Sequence, residues 1–251
     1  MNREVTVMLS IKNVSKSYAR GKVKAVDDIS LEVRPGEIFG FLGPNGAGKT
    51  TTIKMTAGIL PIDSGSITVN GRNIAKDPIQ AKMSMGYVPD THDVYERLTG
   101  IEYLNFIADV FDVSDNDRKQ NIDKYLEMFD MTQAAGQPIK SYSHGMKQKI
   151  IVTGALLHNP PLWLLDEPLT GLDPKAAHLL KEEMNRHCQK GYTVFFSTHV
   201  LEVAEKLCHR IGIINKGKII AVGTLDELRK SGDNSLESIF LELTGEGSES
   251  N

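Results

Sequence analysis

The octapeptide GPNGAGKT (43–50) constrains this chain more than any other stretch. It follows EIFGFLG (37–43), an apolar run of strand length, and leads into KTTTIKMTAGIL (49–60), read as a helix. A glycine-rich turn between strand and helix, closed by lysine and threonine, fits G-x-x-x-x-G-K-[ST] in the context that motif requires. Gly43, Gly46 and Gly48 permit a backbone path whose N–H groups converge on phosphate oxygens. Lys49 is placed to reach β- and γ-phosphates, and Thr50 to offer its hydroxyl to Mg²⁺. The segment Gly43, Pro44, Asn45, Gly46, Ala47, Gly48, Lys49, Thr50 and Thr51 is thus expected to cradle a nucleotide. LWLLDE (162–167) supplies what such a loop needs next: a buried strand ending in two carboxylates, at the sheet edge where open α/β sheets bind ligands. Asp166 is expected to hold Mg²⁺, and Glu167 to orient or deprotonate the water that attacks the γ-phosphate.

The rest of the chain alternates accordingly. Leu9 and Ile11, then Ile29, Leu31 and Val33, recur at period two and predict half-buried strands. SGSITVNG (64–71), MSMGYVPD (83–90), PLWLLDEP (161–168) and YTVFFSTH (192–199) read as further strands, with a helix over 174–190. A hairpin turns near Asn215–Lys216–Gly217, and TLDE (224–227) has the form of a capping box. From about 97 to 140 the apolar residues switch to helical spacing, which predicts a helical insertion ended by GQP (136–138). Strands alternating with helices give an α/β core around a largely parallel sheet. The last residues, 245–251, read as a disordered tail.

Composition narrows the partners. A formal net charge of −3 gives no electrostatic case for nucleic acid. The longest apolar runs fall short of the roughly 18 residues of a membrane span, and the first residues lack a signal-peptide core. A cytoplasmic protein is expected. Two cysteines make no disulfide framework. Each adjoins a histidine (His187–Cys188, Cys208–His209), but neighbours on a helix point apart, so no metal site is expected there.

SYSHGMKQKI (141–150) precedes the apolar IIVTGALL. Ser143 suits a helix N-cap. An open helix end with a glycine and lysines also suits an anion. From these residues alone both readings stand.

The arrangement of these stretches resembles the nucleotide-binding subunits of ABC transporters over nearly the whole chain. That resemblance implies a P-loop NTPase (RecA-like) core, an N-terminal antiparallel β subdomain and a helical subdomain at about 91–160, within one ATPase domain spanning 1–244. It implies ATP and Mg²⁺ as cofactors. Tyr18 in SKSYARG sits where the family stacks an aromatic on adenine, TGLD (170–173) resembles its D-loop with Asp173, and His199 matches its switch histidine. The 141–150 stretch falls at the family's signature, usually LSGGQ. In that family two subunits meet head to tail, so Ser143 and the Gly145 N–H are expected to bind the γ-phosphate held by the other subunit's loop.

Two departures are informative. The signature reads YSHGM, with His144 and Met146 replacing a glycine and the glutamine, and Asp90 stands where a glutamine is usual. Asp90 is expected near the metal shell. Both features are similar to ATPases serving exporters whose membrane subunits are encoded separately. The implied partners are such a permease and a second ATPase subunit, which would hold the chain on the inner face of the membrane. The permease groove is expected near Asp90–Tyr103, with Tyr95, Leu98 and Tyr103 as contacts. A soluble ABC ATPase, for example one of iron–sulfur assembly, has similar length and is the alternative. Glu167 and His199 speak against a regulator without turnover.

Overall fold

The computed structural model describes residues 7–19, 21–91, 94–229 and 235–244; the expected tail at 245–251 lies outside the described residues. The chain opens with β1 (Leu9–Tyr18) and β2 (Val23–Val33), then β3 (Ile38–Leu42), α1 (Lys49–Thr56), β4 (Ser64–Val69), β5 (Arg72–Asn73), α2 (Pro78–Met83) and β6 (Met85–Val88). Three helices follow: α3 (Gly100–Val110), α4 (Asp115–Met128) and α5 (His144–Leu156). Strand–helix alternation resumes with β7 (Leu162–Asp166), α6 (Pro174–Gln189), β8 (Thr193–Thr198), α7 (Leu201–Leu207) and β9 (Arg210–Asn215). It ends with β10 (Lys218–Gly223), α8 (Leu225–Arg229) and α9 (Leu236–Thr244).

Two sheets form. A four-stranded antiparallel sheet runs β2-β1-β4-β5, and a six-stranded sheet runs β10-β9-β3-β8-β7-β6. In the second, β9, β3, β8, β7 and β6 are parallel. Only β10 is reversed, through a hairpin whose Lys216 (φ 47°) and Gly217 (φ 78°) both take the left-handed conformation that a two-residue turn needs. Every residue of β3, β7 and β8 is buried, as expected of strands covered on both faces. Alternation sorts their side chains. Leu162, Leu164, Phe195, Phe39 and Phe41 pack with the antiparallel sheet and α1. Trp163, Leu165, Val194 and Phe196 pack with α3 to α6.

The expected helical insertion is present. A capping box starts α3: Thr99 N donates to Glu102 Oε2 at 2.8 Å, and Glu102 N to Thr99 Oγ1 at 3.3 Å. Lys124 and Tyr125 of α4 both reach the buried Glu183 of α6, at 2.6 and 3.2 Å, which ties the insertion to the core. The TLDE box is also formed, Thr224 N donating to Glu227 Oε2 at 2.7 Å and Glu227 N to Thr224 Oγ1 at 3.2 Å. The sequence reading did not anticipate β5, α2, α7 or α9.

The parallel register positions the site. Leu42 pairs with Thr198, and Asp166 with Ser197. Adjacent strands β3, β8 and β7 therefore deliver the phosphate loop, His199 and the acid pair side by side at one sheet edge.

Candidate nucleotide site

The phosphate loop is built to leave donors unpaired. Gly46 has φ 78° with open space around it, so its conformation is what demands glycine, while a Cβ at Gly43 would stand 2.4 Å from the Ile214 carbonyl oxygen. Gly48 occupies the N-cap of α1 and offers no side-chain cap, and the first turn of α1 holds no acid. The first N–H groups of α1 are thus without a side-chain cap, the condition under which a helix end takes an anion. Lys49 is buried and folds back, donating to the Gly43 and Pro44 carbonyls at 2.7 and 3.2 Å. Burial pushes its ammonium down from the usual lysine range, and the charges of Glu167 and Asp166 oppose that.

Lys49 Nζ lies 3.8 Å from Glu167 Oε1, and His199 Nδ1 lies 3.1 Å from the same oxygen. Glu167 has φ 49°, a left-handed conformation costing about 1 kcal/mol or more for a non-glycine residue. Its N–H is held by Ser197 Oγ at 3.0 Å, and its carbonyl accepts from Thr170 N at 3.1 Å. Asp166 is fully buried; its Oδ1 accepts from Ser197 Oγ at 2.5 Å, and its Oδ2 has no hydrogen-bond partner among the described residues. Burial raises its pKa, Ser197 and Thr50 hydrogen bonds pull it back, and the charges of Asp90 and Glu167 push it further up. A buried carboxylate oxygen without a donor, beside the Thr50 hydroxyl, is what a hard cation would satisfy. The residues present therefore fit Mg²⁺. Ser197 was missed by the sequence reading, because its importance depends on strand register.

Tyr18 is 42% exposed and leans on the site, its hydroxyl 3.4 Å from Thr51 Oγ1. Asp90 is placed at the rim, its carboxylate 3.8 Å from Lys54 Nζ. Its charge acts on Asp166, but its ion-pair partner is the α1 lysine.

The signature residues lie elsewhere. Ser143 caps α5 and accepts from Met146 N at 3.3 Å, so the N-cap role is realised within the chain. A hydroxyl that accepts one N–H still has its proton to donate to an anion, so the two readings are compatible. The small size of Gly145 has a reason in the same chain: an added Cβ would stand 2.8 Å from the Gly171 carbonyl oxygen. Asp173 is engaged at both oxygens, capping α6 through Ala176 N at 2.9 Å and pairing with Lys149 of α5 at 2.7 Å. Gln148 donates to the Pro168 carbonyl at 3.0 Å. The signature helix and the 168–173 loop thus form one braced unit, whose loop follows directly on Glu167.

A family model described as ABC transporter matches residues 26–170. The chain is 40% identical to the linearmycin resistance ATP-binding protein LnrL of Bacillus subtilis over 92% of its own length and 74% of that protein's. It belongs to the ABC transporter ATPases. The ABC-type transporter ATP-binding protein EcsA of Bacillus subtilis is 37% identical over 95% of this chain and 97% of its own. The Nod factor export ATP-binding protein I of Cupriavidus metallidurans is 38% identical, covering 89% and 73%. Among solved structures, an ATP-binding subunit of an ABC transporter superposes with TM-score 0.90 at 35% identity, over 94% of this chain and 99% of that one. The P-loop NTPase fold expected from the sequence is thereby established. This ABC ATPase has no helix, among its described residues, long and apolar enough to cross a membrane.

Proposed function

We propose that this ABC ATPase hydrolyses Mg-ATP to drive an exporter whose permease is a separate chain, with two ATPase subunits closing head to tail over the nucleotides. The observation that carries the catalytic part is the convergence of Lys49 and His199 on one carboxylate oxygen of Glu167, beside the unsatisfied Oδ2 of Asp166. Asp166 and Thr50 would hold Mg²⁺, which supplies charge neutralisation at the β- and γ-phosphates. Gly43 through Thr51 grip the phosphates, and Tyr18 supplies a face for the adenine. Glu167 takes the proton of the attacking water, and His199 fixes the carboxylate's orientation. Ser143 and the Gly145 N–H close the site from the second subunit, and Asp173 holds the brace behind them. Asp90 tunes the field at the metal.

For the permease, a groove of about 750 Å³ lined by Val94, Tyr95, Glu96, Arg97, Leu98 and Phe106 supports the reading. Tyr95 is 61% exposed and Phe106 42%, the two rings meeting edge to face at 5.5 Å. An exposed aromatic pair suits a helix laid into a groove. Tyr103, an expected contact, is instead buried against Gly154 in the core of the helical layer, and Phe106 takes its place at the surface. Export, rather than import, rests on the similarity to the resistance and Nod factor export proteins. Attachment through the permease would put the chain on the cytoplasmic face.

Tagged Glu167→Gln protein tests this. Glutamine keeps a hydrogen-bonding partner for His199 but cannot take a proton. Turnover is expected to vanish while Mg-ATP is retained. Affinity capture from detergent-solubilised native membranes should recover one stoichiometric polytopic protein. Full turnover would remove Glu167 from its role, and recovery of soluble partners alone would overturn the transporter reading.

A further inference from the structure

Ser197 stands on β8 directly opposite Asp166 of β7 and is completely buried. Its one hydrogen goes to Asp166 Oδ1 at 2.5 Å, and its oxygen accepts the Glu167 N–H at 3.0 Å. A single hydroxyl therefore holds two successive residues of the acid pair by two different groups. We infer that Ser197 is a positioning residue for hydrolysis: it fixes the rotation of the Asp166 carboxylate so that Oδ2 remains for the metal, and it locks Glu167 in the left-handed conformation that turns its side chain toward His199. The inference rests on the proposed roles of Asp166 and Glu167.

The geometry leaves little room for a substitute. Among the described residues Asp166 Oδ2 has no donor, so Ser197 on Oδ1 sets which oxygen stays open. The hydroxyl of the next residue, Thr198, is occupied in accepting Val200 N at 3.0 Å, shaping the segment after His199. Alternation along β8 puts Ser197 on the face of Phe195, and Asp166 shares that face with Leu162 and Leu164. The hydroxyl thus reaches the carboxylate across the ladder with both side chains fully buried. Without Ser197, Asp166 keeps only the Thr50 hydroxyl beside it, and the half-buried Glu167 N–H loses its partner. The left-handed backbone at φ 49° then loses one of the contacts that maintain it.

The test uses the intact protein with Ser197→Ala, Ser197→Thr and Ser197→Val. Threonine and valine have nearly the same shape, so their difference isolates the hydroxyl from the volume. Two readouts are taken: steady-state ATP hydrolysis, and binding of ATP with Mn²⁺ followed by electron paramagnetic resonance, with binding of ATP in chelator as the measure of an intact phosphate loop. Loss of a group that orients a metal ligand typically costs about 10-fold or more in metal affinity. Ser197→Ala and Ser197→Val are expected to lower kcat and weaken Mn²⁺ binding by about that factor, with ATP binding in chelator unchanged. Ser197→Thr is expected to restore most of both. Wild-type kcat and Mn²⁺ binding in Ser197→Ala overturns the inference, and so does equal impairment of threonine and valine, which would make the position one of packing. A wild-type protein whose ATP binding ignores the metal would instead sink the assignment of Asp166, and the inference with it.

Discussion

Two helices of this ATPase begin at glycine- and lysine-bearing loops, and their N-termini are built in opposite ways. At α1 the cap is Gly48 at φ 112°, with no side chain to satisfy the first turn, and Lys49 and the acid pair stand around the open end. At α5 the cap is Ser143, which already accepts from Met146 N, and the helix is braced through Gln148 and Lys149 to the loop leading into α6. Helix ends leave four N–H groups to be satisfied by something. At α1 the uncapped end stands beside a buried lysine and two carboxylates, which suits a ligand that arrives. An end capped and braced keeps its shape without a ligand, which suits a surface presented to an anion held by another subunit.

Lys49→Ala should break the α1 half most severely. The ammonium is buried in the loop, so its loss removes the cation proposed to reach the phosphates. A drop in ATP affinity beyond about 10-fold, or about 1.4 kcal/mol, is expected by titration calorimetry. Unchanged affinity would deny the phosphate-loop assignment. Ser143→Ala sharpens the other half. The lost cap should cost about 1 kcal/mol of stability, read from the urea midpoint. ATP binding to the isolated subunit should be unaltered, while turnover falls by about 10-fold, the weight of a lost charge-assisted hydrogen bond. If turnover survives and only stability drops, Ser143 is a cap and nothing more.

The contrast also explains what could be read in advance. The α1 site is local: GPNGAGKT carries its turn, donors and lysine within eight residues, and LWLLDE carries its carboxylates at a strand end. Both are therefore legible as spacing. The α5 brace is not, because Lys149 meets Asp173 and Gly145 meets Gly171 only once β7 and α6 are in place. The Gly171 carbonyl requires a small residue at Gly145, a demand that no spacing in the sequence announces. Ser197 escaped for the same reason: it lies 31 residues from Asp166 and is joined to it by register alone. Tyr103 and Phe106 both fall on one apolar stripe of α3, and only its packing against α5 decides which faces out. The unexpected β5, α2 and α7 are short, too few residues for periodicity to declare.

The smallest expected effect comes from Asp90→Asn, and it tests whether the α1 site extends to the rim. Asp90 is about one-third exposed and 3.8 Å from Lys54, so the pair should contribute well under about 1 kcal/mol to stability. Its influence on Asp166 is through the field, since its charge raises the pKa of that buried carboxylate. Removing one negative charge near a cation site weakens the cation, so the Mg²⁺ concentration for half-maximal turnover should rise. A through-space effect is screened by salt, with a Debye length of about 10 Å at 0.1 M, whereas a ligand bonded to the metal is not. The measurement is therefore a Mg²⁺ titration of wild type and variant at low and at high salt. A difference that shrinks at high salt places Asp90 outside the metal shell. A difference that persists makes it a ligand, directly or through a bound water. Superimposable titrations at both salts would confine the metal site to Thr50 and Asp166, leaving Asp90 only its partner on α1.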